Sequence, residues 1–262
     1  MTLHVEIRGH GPDLVLLHGW ALHGGMWGPW LDRLADHARL HVIDLPGHGR
    51  STWPDATRDL GGLARAVWPR VPRGAAVLGW SLGGMLALEL ARQHPRHLRA
   101  LILMATTPKF LAGPDWDHGL QPAVLDEFSR GLAGDYRRTV QAFLVLQTRG
   151  DDHALETLRL LRGRLHAHGE PDPRALATGL DILRHADLRD ALPRITLPAL
   201  VIAGEHDRLT APGAGRELAA QLPAARFRLI ERSGHASFLS HADAVLAEVG
   251  GFLARHSAAT TA

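Results

Sequence analysis

Leu78-Gly79-Trp80-Ser81-Leu82-Gly83-Gly84 follows an apolar run over residues 75–78 and precedes a helical pattern over residues 85–93. A serine with glycine two places to either side, set between a strand and a helix, reads as a nucleophile elbow. The small neighbours let the backbone turn more tightly than side chains would allow. Gly79 and Gly83 are those neighbours. Such a turn lifts the Ser81 hydroxyl above the end of the sheet. It also aims the Leu82 amide, at the positive end of the new helix, at a developing oxyanion.

Upstream, residues 3–7 alternate weakly and read as a first edge strand, and Leu14-Val15-Leu16-Leu17 is a continuous apolar run of the kind that helices cover on both faces. It ends in His18-Gly19-Trp20, where the Trp20 amide is expected to supply a second oxyanion donor. Residues 27–37 carry the apolar spacing of one amphipathic helix, residues 40–45 of a buried strand, and residues 59–67 of a helix weakened by Gly61 and Gly62. The Gly47-His48-Gly49 turn lacks the third glycine of a nucleotide-binding loop. Residues 98–104 form the next strand.

From Thr106 to about Leu192 no strand is expected, and helical patterns run over residues 122–132, 136–146, 152–165 and 173–183. Residues 197–203 then resume the sheet, followed by a helix at 214–222, a last strand at 226–230 and a closing helix at 243–255. The expected fold is α/β, with a mostly parallel central sheet and helices on both faces. Residues 1–105 and 193–262 would form the core, and residues 106–192 a helical lid inserted between late strands.

Composition narrows the function classes. The 262 residues are 45% hydrophobic and carry a net charge of +2, with Lys109 the sole lysine and no basic run, which argues against nucleic-acid binding. Cysteine is absent, so disulfides, a thiol nucleophile and cysteine-ligated zinc are excluded. The 18 histidines include no His-Glu-x-x-His. Pairs such as His94/His97 and His166/His168 fall in polar segments expected to be exposed, so neither a metal nor any other cofactor is expected. Residues 1–9 lack a secretory pattern and no apolar run approaches the ~18 residues of a membrane span. A soluble, cytoplasmic protein without membrane contact is expected.

A serine hydroxyl needs a base, and the base needs a carboxylate to hold its tautomer. Asp207 follows the strand at 200–203, and His235 lies four residues beyond the strand ending at Glu231. Both therefore fall at the carboxyl ends of late strands, on the same rim as Ser81 and in the chain order serine, acid, histidine. Glu205, His206 and His241 are the nearest competitors. The expected chemistry is acyl transfer to water through a Ser81 ester, which suits esters, thioesters or amides.

These motifs make the chain resemble the α/β hydrolases, and among them the pimeloyl-[acyl-carrier protein] methyl ester esterases of biotin synthesis. The likeness is carried by Leu16-Leu17-His18-Gly19-Trp20, Asp44-Leu45-Pro46-Gly47, the elbow, Arg138-Thr139-Val140, Phe143-Leu144-Val145-Leu146-Gln147-Thr148, Gly179-Leu180-Asp181-Ile182-Leu183 and Asp187-Leu188-Arg189. The resemblance implies a methyl-pimeloyl chain on an acyl-carrier protein as substrate. Trp20, Leu82, Phe143, Leu144, Val145, Leu146 and Gln147 would line the pocket beside Ser81 and His235. Arg138 and Arg159 would face the carrier, whereas Ala142 and Leu155 stand where the family can carry arginines. A broad-specificity esterase or lactonase acting on small esters, or a non-catalytic binding protein on the same fold, remains the alternative.

Overall fold

Strands that are apolar throughout have to lie inside a sheet, and those that alternate have to lie at its edges. In the computed structural model, which describes residues 2–257, seven strands form one sheet in the order β1-β3-β2-β4-β5-β6-β7. They are β1 (Val5–Arg8), β2 (Asp13–Leu17), β3 (Arg39–Ile43), β4 (Ala76–Trp80), β5 (Ala100–Met104), β6 (Ala199–Gly204) and β7 (Ala225–Ile230). β4, β5 and β6 are buried at every position, whereas the edge strand β7 turns Arg226 and Arg228 to solvent. All pairings are parallel except that of β1 with β3.

The chain passes from β2 to β3 through α1 (Trp30–Leu34), then reverses direction across the sheet, reaching β4 through α2 (Leu60–Val67) and β5 through α3 (Leu82–Gln93). Right-handed crossovers that run in opposite directions set their helices on opposite faces. α1 accordingly packs with the closing helix α10 (Ala242–Arg255), and α2 packs with α3. The reversal leaves a crevice beyond the carboxyl ends of β2 and β4, the usual ligand position in such sheets. Between β5 and β6 lies a helical insert of α4 (Pro122–Gly134), α5 (Tyr136–Thr148), α6 (Ala154–Arg164) and α7 (Pro173–His185). α8 (Pro212–Gln221) joins β6 to β7, and a single turn, α9 (Ser237–Ser240), precedes α10. Among the described residues no helix is long and apolar enough to cross a membrane.

One expected helix is divided. Residues 24–27 form a 3-10 turn and α1 begins only after Pro29. Gly28 adopts φ 62°, outside the helical region, and Pro29 has no N–H to continue the ladder. α2 forms despite its two glycines because the Asp59 carboxylate accepts the Gly62 N–H at 2.7 Å.

Candidate active site

At the end of β4 the chain turns at Ser81 with φ 57° and ψ −120°, a conformation costly for any residue with a side chain. The turn is over-determined by its surroundings. A Cβ on Gly79 would lie 2.2 Å from the Gly83 carbonyl oxygen, and one on Gly83 would lie 2.1 Å from that of Leu17. Ser81 N–H donates to Met104 O at 3.0 Å, and the Thr106 hydroxyl donates to Ser81 O at 2.7 Å. Leu82 opens α3, so its N–H has no acceptor within the helix. The His18-Gly19-Trp20 loop lies beside the elbow, where a Cβ on Gly19 would come within 3.4 Å of the Ser81 Cβ. The His18 imidazole holds that loop: Nδ1–H donates to Gly19 O at 2.8 Å and Nε2 accepts the Leu45 N–H at 2.9 Å. Burial, reinforced by neighbouring His48, pushes His18 down to about 3, so it stays neutral.

His235 Nδ1 meets Asp207 Oδ2 at 2.8 Å, and both side chains are buried. Asp207 Oδ1 also accepts the N–H groups of Leu209 and Thr210 at 2.8 and 3.0 Å, and Oδ2 accepts the Thr210 hydroxyl at 2.7 Å. Burial alone would raise this carboxyl; the His235 charge and hydrogen bond, with the Thr210 donors, outweigh it and hold Asp207 below the usual carboxylate range. His235 Nε2 is buried without a hydrogen-bond partner among the described residues. Ser81, 8% exposed, adjoins Trp80, whose Nε1–H donates to His235 O at 2.9 Å, so the elbow and the histidine loop meet on the same rim. Bonds between serine and imidazole are often unformed without substrate.

Trp20 and Phe143 meet edge to face at 5.1 Å, and Phe143 meets Phe128 likewise at 5.7 Å. They line a cavity of about 10 Å³ with Phe110, Leu125 and Leu209. Leu82 faces a second small cavity with His48 and Gly179. Gln147 is buried with both side-chain amide atoms unpartnered among the described residues, and its backbone carbonyl accepts the His235 N–H at 2.9 Å. Leu144 is buried within the insert. Val145, 45% exposed, and Leu146 instead line an outer groove of about 750 Å³ between α4 and α5, with Arg138, Ala142 and Arg149. Arg138 and Arg159 are both exposed. Thr210, Trp80 and Phe128 carry contacts here that sequence reasoning missed, since each reads locally as an ordinary loop, strand or helix residue.

Three histidine placements differ from expectation, His97 among them, which is half-buried against Trp68 at 4.3 Å. His94 stacks on Trp68 at 3.4 Å, and His168 lies half-buried against His23 at 4.2 Å. His23, Asp44 and His168 bring possible ligand atoms within 4.8 Å of one another. Their chemistry is nevertheless that of a latch between loops. Asp44 accepts the Gly24 N–H and both the backbone and side-chain N–H groups of Arg50, while His23 bonds Gly25 N–H and Arg164 O.

A family model for the α/β hydrolase fold matches residues 12–242. The pimeloyl-[acyl-carrier protein] methyl ester esterase of Stenotrophomonas maltophilia is 46% identical over 257 residues, covering 98% of both chains. Solved structures that share the fold include an esterase from Exiguobacterium antarcticum, with TM-score 0.85, 22% identity and coverage of 96% of this chain and 95% of that one. Another is an enol-lactonase from Burkholderia xenovorans, with TM-score 0.83, 26% identity and 96% coverage of each chain. A strained serine elbow, a buried histidine–aspartate pair on the same rim and this likeness over nearly the full length agree: the chain is an α/β hydrolase and belongs to the family of pimeloyl-[acyl-carrier protein] methyl ester esterases.

Proposed function

We propose that this protein hydrolyses the methyl ester of pimeloyl-[acyl-carrier protein], freeing the pimeloyl carboxylate for biotin synthesis. The observation that carries the reading is 46% identity over 98% of both chains to a relative of that name. Ser81 Oγ attacks the ester carbonyl while His235 Nε2 takes its proton, and the tetrahedral anion is held by the N–H groups of Leu82 and Trp20. Collapse expels methanol, protonated by His235, and leaves the acyl chain on Ser81. Water, deprotonated by the same imidazole, then releases the carboxylate. Asp207 keeps the proton of His235 on Nδ1, where it donates to Oδ2. No metal or organic cofactor is needed for these steps.

Residues 106–192 act as a lid over this rim. The cavity beside Trp20 and Phe143, about 10 Å³, has room for about one water and none for an acyl chain. The insert therefore moves to admit a seven-carbon chain between Trp20, Phe143 and Gln147. The carrier, an acidic protein, docks on the exposed face of α5 and α6 that bears Arg138 and Arg159. The 26% identity to an enol-lactonase favours a second reading, an esterase or lactonase of broad range. Comparing kcat/KM on methyl pimeloyl carrier, a short free ester and a small lactone separates the two. The carrier substrate is expected to lead by about 10²-fold or more, as binding of remote substrate parts permits. Equal or better turnover of the small substrates would establish the second reading.

A further inference from the structure

The loop that carries His235 is fastened by the helical insert. Asp152 N–H donates to Arg232 O at 3.1 Å, Gly234 N–H donates to Asp151 Oδ2 at 2.7 Å, and His235 N–H donates to Gln147 O at 2.9 Å. The middle bond differs from the others because a side chain makes it. Asp151 lies between α5 and α6, is only 7% exposed, and gives its two carboxylate oxygens to backbone amides: Gly234 through Oδ2 and His153 through Oδ1, also at 2.7 Å. Such charge-assisted bonds are short and directional, and a buried N–H that loses its acceptor is costly. The approach leaves little slack. A Cβ on Gly234 would stand 2.7 Å from Gln147 O and 3.5 Å from Asp151 Oδ2.

We infer that Asp151 is a positioning residue for His235, its carboxylate fixing the Gly234 peptide so that the imidazole is held between Asp207 and Ser81. The inference rests on His235 being the base. It acts through one peptide unit: if Gly234 relaxes, the ring loses alignment with Ser81 while its bond to Asp207 and the substrate pocket persist. Misplacements near 1 Å are enough to cost about 10²-fold in rate.

The test uses the full-length protein on a small chromogenic ester, with melting temperature measured alongside. Asp151→Ala should lower kcat by about 10- to 100-fold with KM within about twofold. Asp151→Asn keeps one acceptor oxygen, which serves either Gly234 or His153 but not both, so its kcat should fall between those of the wild type and Asp151→Ala. Asp151→Ser keeps an oxygen for the local turn to His153 but is too short to reach Gly234, and should resemble Asp151→Ala. It also serves if Asp151→Ala does not fold. His235→Ala is the control for the underlying reading: if it keeps its activity, the base has been misassigned and the inference falls with it. With His235→Ala inactive, the inference is overturned by full kcat in Asp151→Ala and Asp151→Ser, or by a loss no larger than the unfolded fraction at the assay temperature.

Discussion

Ser81 holds φ 57° because the elbow's neighbours leave no other path, and that strain, of order 1–3 kcal/mol, is offset by the buried bonds at its N–H and carbonyl. Asp207 is seated with equal definition. Besides His235 it accepts three donors from Leu209 and Thr210, so its site is built for a group that only accepts. Asp207→Asn would offer an amide N–H where an acceptor is required and favour the wrong histidine tautomer. We expect kcat to fall by about 10⁴ with little change in KM, read from steady-state kinetics on any ester the enzyme turns over. Retention of a tenth of the wild-type kcat would move the acid role to another carboxylate. The three side chains of this constellation were legible in the sequence because an elbow and two strand-end loops fix their order. Thr210 and Trp80 were not, since their parts depend on contacts across 25 and 155 positions of chain.

At the scale of elements, the amino terminus of α3 is the feature with the most direct chemical consequence. Leu82 is its first residue, a position that tolerates proline, so Leu82→Pro removes the proposed oxyanion donor without breaking a helical bond. The expected cost is about 10² to 10³ in kcat in a variant that unfolds at a near-normal temperature. A folded Leu82→Pro enzyme with wild-type turnover would contradict the assignment. On the insert, replacing Arg138 and Arg159 together by glutamate should raise KM for methyl pimeloyl carrier several-fold, more at low salt than at high, and leave a small free ester unaffected. Equal losses on both substrates would mean that the arginines support the fold of the insert. Strands and helices were legible to within a few residues because their periods are strong. The break before α1 was not, because the apolar spacing of Trp27, Trp30, Leu31 and Leu34 continues across Gly28 and Pro29. Helix spacing also could not reveal that Val145 and Leu146 face the outer groove, since α5 buries residues on a broad face and only packing against α4 decides the rest.

For the whole molecule, buried neutral histidines set the acid limit of stability. His23, like His18, is depressed, to about 4, by burial first and then by His168. In the unfolded chain such groups titrate near 6.5. Between ~6.5 and these lowered values the unfolded chain binds protons that the folded one refuses, so stability rises with pH and is lost as acid is added. Each such histidine should cost about 2 kcal/mol at pH 5 relative to neutral pH. Asp207, depressed in the folded state, adds its loss only below the ordinary carboxylate pKa of ~3.9. Melting temperature should therefore decline measurably from pH 7 to pH 5, before carboxylates titrate, and a flat profile over that window would show that these imidazoles are solvated. This property was hidden in the sequence, where 18 histidines look alike until the fold sorts buried from exposed.

The proposed role of Ser81 is hydrolysis of a carrier-bound methyl ester. Its most direct test is the intact mass of methyl pimeloyl carrier before and after incubation with the wild-type protein and with Ser81→Ala. Loss of one methylene unit from the carrier is expected with the wild-type protein, and an unchanged mass with Ser81→Ala. An unchanged carrier in the presence of active wild-type protein, or the same loss with Ser81→Ala, would contradict it.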